Sequence, residues 1–191
     1  LTLKNINIVP ASAKADLGWS FIGPGADGVT LDIENCMFER TRWVFMNTGS
    51  KDVSFKIKDS YFVNMVGQPC RRNGGVMDVF NTEDTLLVEN TTHVMAQGYM
   101  YKFRQYRFNR VMINHSTFIN ISGYVFLDLG YQGDFSTTNN IFVNSNVQAY
   151  HGVPEIDAGE QDPDGLPMGL VSVIVLPDSV DYPRQYLFAG N

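Results

Sequence analysis

One short motif recurs along the chain and constrains its fold more than any other feature. It reads apolar, any, apolar, any, Asn, then a large apolar residue three places after the Asn, often followed by any and Asn. Copies begin at Leu1, Leu31, Phe55, Leu86, Val111 and Phe135, and a seventh is read at Leu187, with Ala189 and Asn191. The Asn-type position is filled in turn by Asn5, Asn35, Asp59, Asn90, His115 and Asn139, and the large apolar position by Ile8, Phe38, Phe62, His93, Phe118 and Phe142. Intervals of 30, 24, 31, 25, 24 and 52 residues give a unit of about two dozen residues, with insertions in the first and third units and a large one after the sixth copy. A fixed period in this range is the mark of a repeat architecture.

Each copy opens with alternating apolar and polar residues, the pattern of a strand with one buried face. Gly67, Gly98 and Gly123 punctuate the chain before a second apolar run, aligned as Trp43 to Asn47, Val76 to Phe80, Tyr99 to Phe103 and Tyr124 to Asp128. Apolar positions recur every two residues and are rich in Val, Ile, Phe and Tyr, so helices are expected only as short inserts. Stacking like residues on successive coils lets each strand pair with the coils above and below, and it buries a face that one coil alone could not bury. Asn suits the recurrent turn because it tolerates a left-handed backbone and its amide can bond the amide of the next coil. An antiparallel sandwich would also give short alternating strands, but it does not explain why Asn returns at one phase.

The stretches LDIENCMF, FKIKDSYFVN, VMINHSTFIN and FSTTNNIFVN resemble the pectate-lyase-like right-handed parallel β-helix family, over nearly all of residues 29 to 146. The likeness is to the repeat-bearing coils of secreted bacterial surface proteins and polysaccharide-active enzymes. It implies an all-β solenoid of about six coils, one domain over 1–191 with an insertion at 150–186, and an extracellular or cell-surface setting. The family holds lyases, hydrolases, adhesins and structural modules, so fold does not decide activity.

Composition narrows the classes further. A charged fraction of 18% with 44% hydrophobic residues argues against disorder. The net charge of −6, with Lys and Arg scattered except around residues 102 to 110, offers no footprint for nucleic acid. No apolar run is long enough to span a bilayer, the longest being Leu170 to Leu176. Cys36 and Cys70 are too few for a disulfide framework and lack metal-ligand spacing. The opening at Leu1 without Met leads to the expectation of a fragment of a longer chain, whose coil ends meet the rest of the polypeptide or neighbouring subunits.

The second run is where the family places polysaccharide. If Val44, Met77, Met100 and Val125 point inward, then Trp43, Tyr99 and Tyr124, with Phe45, Tyr101 and Phe126, form an outward aromatic wall. Rings on a regular sheet make platforms for sugar faces, and Asp78, Lys102, Arg104 and Asp128 could bond hydroxyls or uronate carboxylates. The same wall could instead be covered by an insertion, a neighbouring domain or another protomer. A lyase needs a basic residue and a cation at the uronate; the bases exist, without a carboxylate cluster on adjacent coils. Asp78 and Asp128 stand two coils apart, roughly 10 Å at ~4.8 Å per coil, the outer limit for an inverting pair. No cofactor is expected; if an ion binds, it is Ca²⁺ in the acidic stretch of Glu155, Asp157, Glu160, Asp162 and Asp164, whose spacing matches no EF-hand. His93 and His115 fill motif positions and read as packing variants. The expectation is a non-catalytic structural or adhesive module, with a polysaccharide-binding or polysaccharide-cleaving domain as the alternative.

Overall fold

A computed structural model describes residues 1–12, 22–23, 25–67, 74–104, 106–123, 125–128, 132–145, 173–174 and 185–191. These residues are all-β: they form eighteen strands, and no helix occurs among them. Numbered in chain order, a first sheet holds β1 (Thr2–Lys4), β3 (Thr30–Glu34), β6 (Ser54–Lys58), β9 (Glu83–Glu89), β12 (Phe108–Asn114), β15 (Asp134–Thr138) and β18 (Gln185–Ala189). A second holds β2 (Asn7–Ile8), β4 (Met37–Glu39), β7 (Tyr61–Met65), β10 (Thr92–Ala96), β13 (Thr117–Ile121) and β16 (Ile141–Ser145). The third holds β5 (Val44–Thr48), β8 (Gly75–Val79), β11 (Tyr101–Arg104), β14 (Phe126–Asp128) and β17 (Val173–Ile174).

From β3 onward the chain visits the three sheets in the same order in every repeat, so each strand from β6 to β15 pairs with the strands three before and three after it. Every strand pairing is parallel, which rules out the antiparallel sandwich. The motif sets the register. Phe55 faces Leu31 and Leu86, Val111 faces Leu86 and Phe135, and Ile8, Phe38, Phe62, His93, Phe118 and Phe142 align on the second sheet. One contiguous apolar cluster draws residues from all three sheets, including Ile33, Phe62, Met77, Phe103, Val111 and Phe126. Full burial of each large side chain contributes about 1.5–3 kcal/mol.

Every described Asn-type position takes the left-handed backbone its residue type permits: φ is 58° at Asn5, 52° at Asn35, 50° at Asp59, 49° at Asn90, 49° at His115 and 55° at Asn139. Amides stack where two carbonyl-bearing side chains coincide. Asn35 Nδ2 donates to Asn5 Oδ1 at 2.7 Å and Asn90 Nδ2 to Asp59 Oδ1 at 2.6 Å. At His115 the ladder steps sideways, and Asn139 Nδ2 donates to Asn114 Oδ1 instead.

The seventh copy is offset from the reading at Leu187. Tyr186 pairs with Phe135, and Leu187 with Ser136, so Gly190 holds the left-handed place with φ 68° and Asn191 falls one place beyond it. Of the stretch 150–186, β17 belongs to the third sheet, pairing with Leu127 and Asp128.

From the second turn to the sixth, the residue after the turn is small or polar and buried: Cys36, Ser60, Thr91, Ser116 and Asn140. Three of these side chains cap a backbone N–H of the preceding repeat. Ser60 Oγ accepts from Cys36 N, Ser116 Oγ from Thr91 N, and Asn140 Oδ1 from Ser116 N, at 2.8–3.2 Å. The corner thus satisfies donors that burial would otherwise leave costly.

Candidate functional site

A second left-handed column closes the second sheet. Arg40, Asn64, Met95, Asn120 and Asn144 have φ of 53°, 55°, 60°, 55° and 47°, and they stand at equivalent places in five successive repeats. This is the "any, Asn" tail of the sequence motif. Beside it runs a groove of about 600 Å³ lined by these five residues with Met65, Val66, Ala96, Gln97 and Ser122. Buried Met65 and Ala96 with Val66 make an apolar floor, while Met95 is 53% exposed.

The groove's polar groups are partly engaged. Asn144 Nδ2 donates to Asn120 Oδ1 at 3.1 Å, Asn64 Nδ2 to Glu39 Oε1 at 3.4 Å, and Gly67 N to Gln97 Oε1 at 2.9 Å. An amide side chain offers two donors and two acceptor lone pairs, so each keeps capacity for a ligand. Among the described residues the only charged one in the lining is Arg40, and its Nε lies 3.2 Å from Glu39 Oε1. These described residues neither pair two carboxyls nor set a base beside a nucleophile.

The residues singled out on the third sheet occupy a different environment from the one expected. Phe45, Tyr101 and Phe126 do not form an outward wall: all three belong to the apolar core, and Phe45 packs against Phe38 and Phe62 with ring centroids 4.2 and 5.1 Å away. Met46 and Met77, rather than Phe45 and Asp78, share the register position of Tyr101 and Phe126. Asp78 and Lys102 are register partners, and the Lys102 Nζ lies 5.4 Å from the Tyr99 ring centroid, so three of the expected residues do come together. They are nonetheless buried, at 0%, 3% and 1% exposure for Asp78, Lys102 and Tyr99. Val44, Met77, Met100 and Val125 are buried as well.

The physical reason lies in runs such as Val44-Phe45-Met46 and Gly75-Val76-Met77, which are apolar without alternation, the signature of a parallel sheet buried on both faces. Gly75 is obligatory in this packing, because a Cβ there would run into the Tyr99 carbonyl. Trp43, half-buried, turns the chain into β5 with φ 72° and donates its backbone N–H to the Val66 carbonyl at 2.9 Å. The backbones of Arg104 and Asp128 are register partners. Tyr124 and the acidic residues Glu155, Asp157, Glu160, Asp162 and Asp164 lie outside the described residues. Among the described residues no group of three or more His, Cys, Asp or Glu side chains could hold a metal, and no helix is long and apolar enough to cross a membrane.

Three titratable groups are strongly perturbed, and all are buried away from the groove lining. His93 sits within the aromatic column between Phe62 and Phe118, its ring stacked nearly parallel to both with centroids 5.5 and 4.4 Å away. Its Nδ1 lies 3.4 Å from the Thr117 carbonyl, which can only accept, so Nε2 is the bare nitrogen and receives the Tyr101 hydroxyl at 2.9 Å. Burial pushes His93 down to about 3 and Tyr101 well above its ordinary value. Glu83 is raised to about 7, first by burial, against the opposing bonds from Val53 N–H and the Thr48 hydroxyl; Asp52 and Asp27 raise it further.

No family model, curated protein or solved structure matches this chain.

Proposed function

We propose that the chain is a right-handed β-solenoid acting as a non-catalytic structural or adhesive module of a secreted or cell-surface protein. The observation that carries this reading is the cyclic order of the strands: first, second and third sheet in every repeat from β3 onward, in register, around one core. Such a stack is stiff along its axis, because each repeat contacts its neighbours through three ladders at once. Among the described residues β1 and β2 each pair along one edge only, and such edges accept further strands. In the proposed module they meet the remainder of a longer polypeptide or a neighbouring subunit.

Spin labels placed in turn at Thr2 with Met112, Ser136 or Leu187, which share one register row of the first sheet, test the stack: the pairwise distances should rise in step, roughly 19, 24 and 29 Å at ~4.8 Å per repeat. Distances that do not rise in step would sink the solenoid. Incubation with neutral and acidic polysaccharides tests the second half: no new reducing ends and no unsaturated uronate should accumulate.

Polysaccharide binding without cleavage is the second reading. The groove along Arg40, Asn64, Met95, Asn120 and Asn144 favours it, since its described lining residues set amides beside apolar Val66 and Met95 and include no carboxylate.

A further inference from the structure

We infer that the groove at the end of the second sheet binds a neutral, extended polysaccharide lying along the stacking direction. The inference rests on the adhesive reading and gives that adhesion a ligand class. Its first support is periodicity. Asn64, Asn120 and Asn144 present the same amide at equivalent places, and Gln97 and Ser122 add polar groups on the same wall. At ~4.8 Å between neighbouring strands, the five repeats from Arg40 to Asn144 span roughly 19 Å. A polymer of pyranose units presents hydroxyls at a comparable repeat, so successive units can meet successive amides. A single compact ligand would use only one or two of them.

The second support is the mixed chemistry of the lining. Amides donate to and accept from hydroxyls, whereas half-buried Val66 and exposed Met95 offer apolar surface to the C–H faces of sugar rings. Met95 occupies a left-handed position that favours Asn or Gly, and it is exposed there instead of buried. A residue held in that conformation without a packing reason implies a role at the surface it faces. Its flexible thioether can follow an uneven sugar face.

Charge selects a neutral polymer over a polyanion. Among the described lining residues Arg40 is the only cation and already bonds Glu39, and the chain carries a net charge of −6. A polyuronate would meet repulsion with a single, already engaged counter-charge to offset it.

The test is calorimetric titration of the full chain with neutral di-, tetra- and hexasaccharides of β-1,4-linked glucose, mannose and xylose, with hexagalacturonate as the polyanion. At least one neutral series should bind, with affinity rising from disaccharide to hexasaccharide. The double variant Asn64→Gly, Asn120→Gly keeps the left-handed turns while removing two amides, and it should weaken hexasaccharide binding roughly tenfold or more at an unchanged melting temperature. Should that variant fold poorly, methyl-labelled methionine in the unaltered chain gives an independent reading. The exposed Met95 signal should shift on adding the hexasaccharide, and the buried Met77 and Met100 signals should not.

Four results would each overturn the inference: no neutral hexasaccharide bound, affinity independent of length, binding indifferent to the double glycine variant, or hexagalacturonate bound as tightly. Label distances that rise in step along the first sheet, together with any of these results, remove the groove and leave the solenoid standing. Distances that do not rise in step remove the solenoid itself.

Discussion

The two left-handed corners of each repeat make the same demand on the backbone and answer it with different chemistry. At the first, between the first and second sheets, Asn5, Asn35, Asp59, Asn90, His115 and Asn139 turn the chain, and the next residue drops into the interior to cap the neighbouring repeat. At the second, after the second sheet, Arg40, Asn64, Met95, Asn120 and Asn144 turn the chain beside an open groove. The first corner is closed by buried hydrogen bonds, which must be satisfied within the fold. The second leaves Asn120 and Asn144 exposed, where each amide keeps capacity for a ligand beyond the bond the two share. The same dihedral angle therefore marks a structural joint in one place and a candidate binding edge in the other.

The largest expected effect concerns the strand that links the two corners in the fourth repeat, with Asn90 at one end and Met95 at the other. His93 lies between them with a folded-state pKa near 3, below the unfolded value of 6.5. The unfolded chain therefore binds the proton first as pH falls. Stability from this group is complete above pH 6.5 and is lost progressively as pH drops towards 3, on the order of 4 kcal/mol in total. Replacing His93→Phe and Tyr101→Phe together removes the buried pair and extends the aromatic column, so denaturant unfolding should lose most of this acid sensitivity. His93→Phe alone should cost about 2 kcal/mol by orphaning the Tyr101 hydroxyl. Equal stability of the single and double variants would show that the hydroxyl needs no partner there.

Glu83 works in the opposite direction. Its folded pKa, about 7, lies above the ordinary 4.5, so its contribution is present at low pH and is lost as pH rises from 4.5 through 7. Gln132 performs the same task in a later repeat, its Oε1 accepting from Phe108 N at 2.7 Å as Glu83 Oε2 accepts from Val53 N at 2.9 Å. Glu83→Gln should therefore keep the cap and abolish the alkaline loss, a difference of about 3 kcal/mol at pH 8.

Substitutions at the two corners then separate them directly. Asn140 Oδ1 accepts from Ser116 N, and its Nδ2 donates to the Ile113 carbonyl and the Thr137 hydroxyl. Asn140→Ala at the closed corner leaves buried groups unpaired and should cost about 3 kcal/mol in chemical denaturation. Asn120→Gly at the open corner preserves the turn, gives up one exposed amide bond to Asn144, and should stay within about 0.5 kcal/mol of the parent. If both cost the same, the closed and open corners are not different in kind.

The repeat, its first Asn column and the stacked Phe positions were legible in the sequence because each depends on a local requirement: a left-handed turn, or one inward side chain per strand. The caps at Ser60, Ser116 and Asn140 were not, since a polar residue after the turn looks like an ordinary turn residue until the neighbouring repeat supplies the donor. The third sheet failed for another reason. Alternation assigns an inside and an outside only when one face is wet, and Val44, Phe45 and Met46 are buried together. The register at Leu187 slipped by one because Gly190, not Asn191, takes the left-handed place. The groove was written in the motif's final Asn, but a sequence does not show whether the side chains beside a turn are closed over or open.

The smallest expected effect is also the most discriminating. Met95 and His115 are the corresponding departures from Asn at the open and closed corners, with φ of 60° and 49°. Asn is the more comfortable residue in that conformation, so Met95→Asn and His115→Asn should each stabilise the chain by about 0.5–1 kcal/mol, read as a small rise in melting temperature. Their effects on sugar binding should diverge. His115→Asn lies outside the groove lining and should leave hexasaccharide affinity unchanged, whereas Met95→Asn removes the exposed thioether and should change it. A stabilising Met95→Asn with unaltered affinity would reduce Met95 to a tolerated irregularity, and the strain at the open corner would then carry no information about binding.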